Sequence, residues 1–211
     1  MNSKIQTLLE RAAAQTSAAG GDTSSVANAA RNFSDAAEAE KYFAEFKRKL
    51  FRIEKWNADS GLSSFELFDE NGARQAPQAS AKTGDFIRIT LTGSGKSDWV
   101  KVTGIDDERA DEIVLTVQPA YNPTEKGADE TATSHFFIKD SSNNFCLQKI
   151  NQAVKIYVVG LNEISNTQET NNIIETARNV ATANLGHYLG IQKAEWTTFC
   201  ENFLENEKQN N

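Results

Sequence analysis

The stretch Gly93-Ser94-Gly95-Lys96-Ser97 has the residue types of a phosphate cradle. A P-loop needs Gly-x4-Gly-Lys-Ser/Thr after a strand, with a helix starting at the lysine so that its first amides meet the phosphates. Here the position of the leading glycine holds Thr90, and the residues that follow, Asp98-Trp99-Val100-Lys101-Val102, read as a strand. The segment is expected to be a hairpin loop.

The other reactive side chains are sparse or badly spaced. There are 2 histidines. His135 shares a strand side with Phe137, and His187 is expected to close a helix, where a cation suits the C-terminal dipole. Zinc asks for three or four ligands at suitable spacing, and no His/Cys pair is close in sequence, so no metal site is expected. Asp106, Asp107, Glu108, Asp111 and Glu112 crowd a turn, but a calcium loop alternates its ligands around a glycine at the bend. That order is missing, and a solvated turn is expected. Gly93-Ser94-Gly95 is not a nucleophile elbow. No catalytic residue or cofactor is assigned, and the chain is read as a non-enzyme. Cys146 and Cys200 lack the spacing of a disulfide scaffold and read as buried, reduced thiols.

Charge narrows the partners. With 22 basic and 29 acidic residues the formal net charge is -7, which repels the phosphates of nucleic acid and anionic lipid. The one basic cluster, Lys47, Arg48, Lys49 and Arg52, is spread around a helix axis. No stretch approaches the roughly 20 apolar residues that span a bilayer, and the N-terminus has no apolar core of signal-peptide length. A cytoplasmic protein is expected, with signal-independent export or loading into a particle compatible with the same features.

The elements that would position these residues are clearer. Ile87, Ile89 and Leu91 alternate with polar neighbours, as do Ile113, Leu115 and Val117, and Val154, Ile156 and Val158. A period of two places one row on one sheet face. Strands are predicted near 85–92, 98–105, 111–118, 132–139, 144–149 and 153–160, with a further one at Phe65–Phe68 before the tight-turn pair Asn71-Gly72. Connections this short force antiparallel neighbours. Ala39, Phe43, Phe46 and Leu50 form the stripe of a helix over 35–52, with Ser34 as its N-cap. Later apolar spacing predicts helices over 171–189 and 192–205. The fold class is α+β: an antiparallel, strongly curved sheet or barrel of about six to seven strands, flanked by N- and C-terminal helices.

Residues 35–205 are expected to be one domain with its β core over 63–160, and 206–211 a polar tail. Residues 1–34 read as a flexible or partner-ordered arm, in which Ile5, Leu8, Leu9 and Ala12 mark a short amphipathic helix before a Gly/Ser/Thr-rich linker. The partner contacts expected are Ile5, Leu8 and Leu9 on that arm, Trp99, whose parity opposes Val100 and Val102, and Tyr121 in the longest loop. These features suggest a non-catalytic interaction or structural component of a larger bacterial assembly, with a protein partner or self-assembly. A second reading is a carrier of a small molecule or lipid, with a helix-grip-like apolar cavity. A third is an enzyme built from dispersed polar residues.

Overall fold

The computed structural model describes residues 3–16, 23–92, 97–129, 135, 137–164 and 185–205, with 185–192 as helical backbone. Seven strands form one sheet: β1 (Ser24–Asn32), β2 (Ser63–Phe68), β3 (Phe86–Leu91), β4 (Ser97–Asp106), β5 (Glu112–Pro119), β6 (Ser142–Ile150) and β7 (Ala153–Leu161). Their order is β1-β7-β6-β5-β4-β3-β2, and every neighbouring pair is antiparallel. The fold is α+β with a curled half-barrel sheet between N- and C-terminal helices, as the periodicity predicts. Alternation decides the faces. Phe65, Leu67, Ile87, Val100, Leu115, Phe145, Leu147, Ile156 and Val158 share the concave core, whereas Val114, Cys146, Val159 and Leu161 point to the convex side. A bulge between Val102 and Gly104 bends β4 and resets its register against β5.

Helix α1 (Lys4–Thr16) lies on the convex face; α2 (Ala36–Phe51), a 3-10 helix (Ile53–Ala58) and α3 (Leu185–Phe203) cover the concave one. The start of α2 is a reciprocal cap shifted by one residue from the expected Ser34. Glu38 N–H donates to Asp35 Oδ1 at 2.8 Å, while the Ser34 amide and hydroxyl donate to Glu38 Oε2 at 2.8 and 2.7 Å.

The expected N-terminal arm is corrected here. Residues 24–32 are an edge strand paired along their whole length with β7, and α1 is packed on the sheet of its own chain. β1 escapes the sequence signal because Ser24-Ser-Val-Ala-Asn-Ala-Ala-Arg-Asn32 is small and polar; the backbone ladder holds it, with Ala27 and Val26 packed on opposite faces. Half of the strand expected at 132–139 lies outside the described residues, and His135 and 137–139 belong to no strand of the sheet; the seventh strand is β1. The two C-terminal helices expected at 171–189 and 192–205 differ too. Residues 171–184 lie outside the described part, and α3 runs unbroken through Gly190. A glycine inside a helix costs only about 1 kcal/mol, which the buried face of Trp196, Phe199, Cys200 and Phe203 outweighs. His187 therefore sits within α3 rather than closing a helix.

The free edge of β2 is blocked by two side chains and one backbone amide of the same chain. Asn57 accepts from Phe65 N–H at 2.6 Å and donates to Phe65 C=O at 3.1 Å; Gln75 N–H donates to Leu67 C=O at 2.8 Å, and Ser63 N–H to Glu195 at 2.9 Å. After β2, Asn71-Gly72 makes a turn closed by Gly72 N–H to Asp69 C=O at 3.0 Å, yielding a single bridge between Phe68 and Arg74 rather than a long hairpin. Gly72 has φ +78°, and any Cβ there would collide with the Pro123 carbonyl; Gly127 has φ +72° with open space around it. Gly72→Ala is thus expected to lower stability by about 2–3 kcal/mol in urea denaturation, and Gly127→Ala by about 1 kcal/mol, since only the first adds a backbone collision to the dihedral strain.

Candidate functional site

The concave face forms a trough roofed by α2 and α3, and aromatic side chains fill it. Trp56 stands 4.4 Å from Phe145, 5.4 Å from Phe199 and 5.5 Å from Phe65, measured between ring centroids. Trp196 meets Phe145 edge-on at 5.2 Å and Phe199 at 5.7 Å, and Phe203 extends the series to Phe46 at 6.0 Å. Tilted and edge-to-face contacts of this kind bring a positive ring edge to a negative face. Trp56 Nε1–H donates to Leu50 C=O at 3.2 Å. The Trp196 indole N–H, equally buried, has no acceptor among the described residues.

Polar groups pin α3 over this trough at two places. At its C-terminus Lys49 Nζ donates to Phe203 C=O at 3.0 Å, pairs with Asp59 at 2.8 Å and lies 4.7 Å from the Phe203 ring centroid. Arg31 Nη1 donates to Leu204 C=O at 2.8 Å. Two cations thus meet the negative end of the helix dipole. Earlier in α3 the buried Glu195 carboxylate gathers the Ser60 hydroxyl at 2.5 Å and the Leu62 and Ser63 amides at 2.9 Å. Beside it an open groove of about 260 Å3 is lined by Gly61, Leu62, Ala194, Glu195 and Thr198, with Leu62 50% exposed. Small-molecule sites usually start near 300 Å3 and enclose most of the ligand, so this groove is small and shallow for one.

A polar cluster sequence reasoning missed closes one end of the trough. Ser25, Gly160 and Asn143 form a cross-strand row on β1, β7 and β6, two residues along from Ala27, Val158 and Phe145 and on the same face. The Glu163 carboxylate folds back onto that row, accepting from the Ser25 hydroxyl and from Asn143 Nδ2 at 3.3 Å. Gly160 leaves the space it occupies; a Cβ there would strike Glu163. Burial pushes the Glu163 carboxyl above its ordinary range, against two hydrogen bonds that favour the charged form. The one signal available was Gly160, a glycine ending a regular strand.

The residues singled out by type stay apart. His135 is buried; its Nδ1 accepts from Phe137 N–H at 2.9 Å, and desolvation lowers its pKa, so the imidazole is neutral. No group of three or more His, Cys, Asp or Glu side chains suited to a metal occurs among the described residues. The acidic turn is ion-paired: Asp106 with Lys4 and Asp107 with Lys47, each at 3.2 Å, and Asp111 with Arg109 at 3.3 Å. Residues 93–96 lie outside the described part, but Thr90 pairs with Ser97 across an antiparallel β3–β4 hairpin, and β4 begins where a P-loop would begin its helix.

The five expected partner contacts fall into two convex patches. Ile5 and Leu8 are buried under α1 and Leu9 is half-buried at its margin. Trp99, on the face opposite Val100, meets Phe68 edge-on at 4.9 Å with Arg88 nearby, and Tyr121 meets Phe86 at 5.2 Å. Trp99 is only 3% exposed. In this structure all five pack against their own chain.

No protein-family model matches the chain, and no curated protein is similar to it in sequence. Among solved structures it is similar to the hypothetical protein jhp0584 from Helicobacter pylori, at 10% identity and a TM-score of 0.47, over 88% of this chain and 89% of that one. TTHA0849 from Thermus thermophilus gives 8% identity and 0.42, over 85% and 94%. A ginseng major latex-like protein from Panax ginseng gives 7% and 0.34, over 74% and 94%. Likenesses this distant carry no argument about what the chain does. Among the described residues no helix is long and apolar enough to cross a membrane.

Two outcomes follow from the site. Glu163→Gln keeps the hydrogen bonds without the charge. The carboxyl has a raised folded pKa, so its ionisation costs nothing below the ordinary Glu range and costs progressively more as pH rises through the folded value. Wild type and variant should melt together near about pH 4, and the variant should melt higher at about pH 8. Phe145→Ala, which empties the centre of the aromatic contacts, should lose about 3–5 kcal/mol in urea denaturation.

Proposed function

We propose that this protein is a non-catalytic interaction component, a stiff scaffold that works through its outer surface. The observation that supports it is the trough interior. Trp56, Phe65, Phe145, Trp196, Phe199 and Phe203 fill each other's contact distances where a carrier of this architecture would keep an apolar space. The chemistry of the site agrees. Glu195 is consumed by three donors, the Lys49–Asp59 pair by the end of α3, and the His135 ring by a backbone amide. The first two are fastenings between elements and the third is a local turn contact; none of the three is presented to a substrate.

A carrier of a small apolar molecule is the second reading, favoured by one observation: the buried Trp196 indole N–H has no acceptor among the described residues, and a ligand oxygen would satisfy it. Native mass spectrometry of the gently purified chain, joined to thermal melts with medium-chain fatty acids and alcohols, separates the two. The scaffold reading expects masses of bare chain or its multimers and melting points unmoved by any of these compounds. A stoichiometric small molecule, or a saturable rise in melting temperature, would overturn it in favour of the carrier.

A further inference from the structure

The sheet has two borders, and the chain treats them oppositely. The β2 border is occupied by Asn57, the Gln75 amide and Glu195. The β1 border is open. Phe33 N–H donates to Gln152 C=O at 2.9 Å, and this pair continues the register in which Asn32 faces Ala153. In an antiparallel ladder, directly opposed residues exchange both bonds at every second position. Ala27, Ala29 and Arg31, in step with Phe33, therefore bond to β7. Ser24, Val26, Asn28, Ala30 and Asn32 turn their amides and carbonyls outward. None of these outward groups has a hydrogen bond among the described residues. Asn28, Ala30 and Asn32 are exposed, and Ser24 and Val26 half-buried.

The usual devices that spoil an edge are missing too. β1 is 9 residues long, without proline or lysine, and runs against β7 with no bulge. Its one charged side chain, Arg31, is engaged on the concave side, where Nη1 donates to Leu204 C=O at 2.8 Å. The chain carries a formal charge of -7, yet no acidic residue lies on this strand. A second acidic chain is therefore not repelled at this border by charges of the strand itself.

An open edge recognises backbone, so its partner is an extended strand. The sequence of the edge says which strand fits. Laid antiparallel on itself over its full length, β1 sets Asn28 against Asn28 of the second copy, Val26 against Ala30 and Ser25 against Arg31. Outward residues then meet outward residues at every rung, and no charge faces a like charge. We propose that the outer edge of β1 is an interaction surface whose partner is β1 of a second copy, paired antiparallel about a two-fold axis at Asn28. This deepens the interaction reading above. Because the β2 border of each copy is capped, the pairing closes at two chains instead of continuing into a fibre.

The test is sedimentation equilibrium of the full chain. Wild type should exchange reversibly between monomer and dimer below about 1 mM, weakly, because one added strand pair is a small interface. Asn28→Asp and Asn28→Lys each place like charges opposite one another at the axis, and each should weaken the dimer by about threefold or more. The lysine variant lowers the net negative charge, so a change in general repulsion would move it the other way. An equimolar mixture of the two variants should form the mixed dimer at least about tenfold more tightly than either forms its own. Ala30→Pro removes one outward amide and leaves the β7 ladder intact; it should weaken pairing by about tenfold. A wild-type chain that stays monomeric, a measurement needing no variant, rules the proposal out. So does a dimer indifferent to the Asn28 charges. A small molecule found in the trough would leave these mass distributions untouched, which keeps the failure of the scaffold reading distinct from the failure of this one.

Discussion

The contact among Trp56, Phe145 and Phe199 is the one on which the rest of the structure depends. It joins the 3-10 helix, the middle of β6 and the last turns of α3, three elements far apart in the chain. A sheet of seven strands has a concave face too wide for a single helix of aliphatic side chains to cover, and large rings close the distance with few residues. Once they interlock, the positions of α2 and α3 follow, and the polar fastenings fall into reach. Lys49 can serve Asp59 and the α3 C-terminus together because Phe203 is already seated beneath it. Glu195 can collect three donors because the chain entering β2 passes directly under α3.

That dependence also explains the distribution of buried charge. Glu112, Asp59, Glu163 and Glu195 are buried, and the hydrogen bonds they accept or the cation they pair with join separate elements: α1 to β5, the 3-10 helix to α2, the end of β7 to β6 and β1, α3 to the start of β2. Burying a carboxylate is costly unless it has a partner, and each of these four has at least one hydrogen bond or ion pair. Each such residue therefore specifies which element must lie next to it, and a misplaced helix would leave a charge without a partner in a dry site.

The strands with strict alternation were legible in the sequence because two requirements coincide there: β geometry and a single buried face. Ile87 with Ile89, Ile113 with Leu115 and Val117, and Val154 with Ile156 and Val158 announce both at once. The stripe of α2 was legible for the same reason. β1 was not, since alanines and asparagines state no preference for a face, and its place comes from a partner strand more than a hundred residues away. α1 was seen as a helix with an apolar stripe, but a stripe does not name its cover. Glu163 was invisible as a site residue because its role depends on a row, Ser25, Gly160 and Asn143, that exists only after three strands align.

The Asn57 carboxamide has a consequence for the behaviour of many copies together. By taking both the outward amide and the outward carbonyl of Phe65, it imitates a single peptide unit of an eighth strand. An extended segment arriving from solution finds that rung of the ladder already occupied, with Gln75 and Glu195 filling the neighbouring ones. Fibre growth by stacking further chains onto this border would have to evict three internal ligands before forming its first bond. This internal cap thus acts as a barrier to templated polymerisation, at a border the sheet could not close by curling alone.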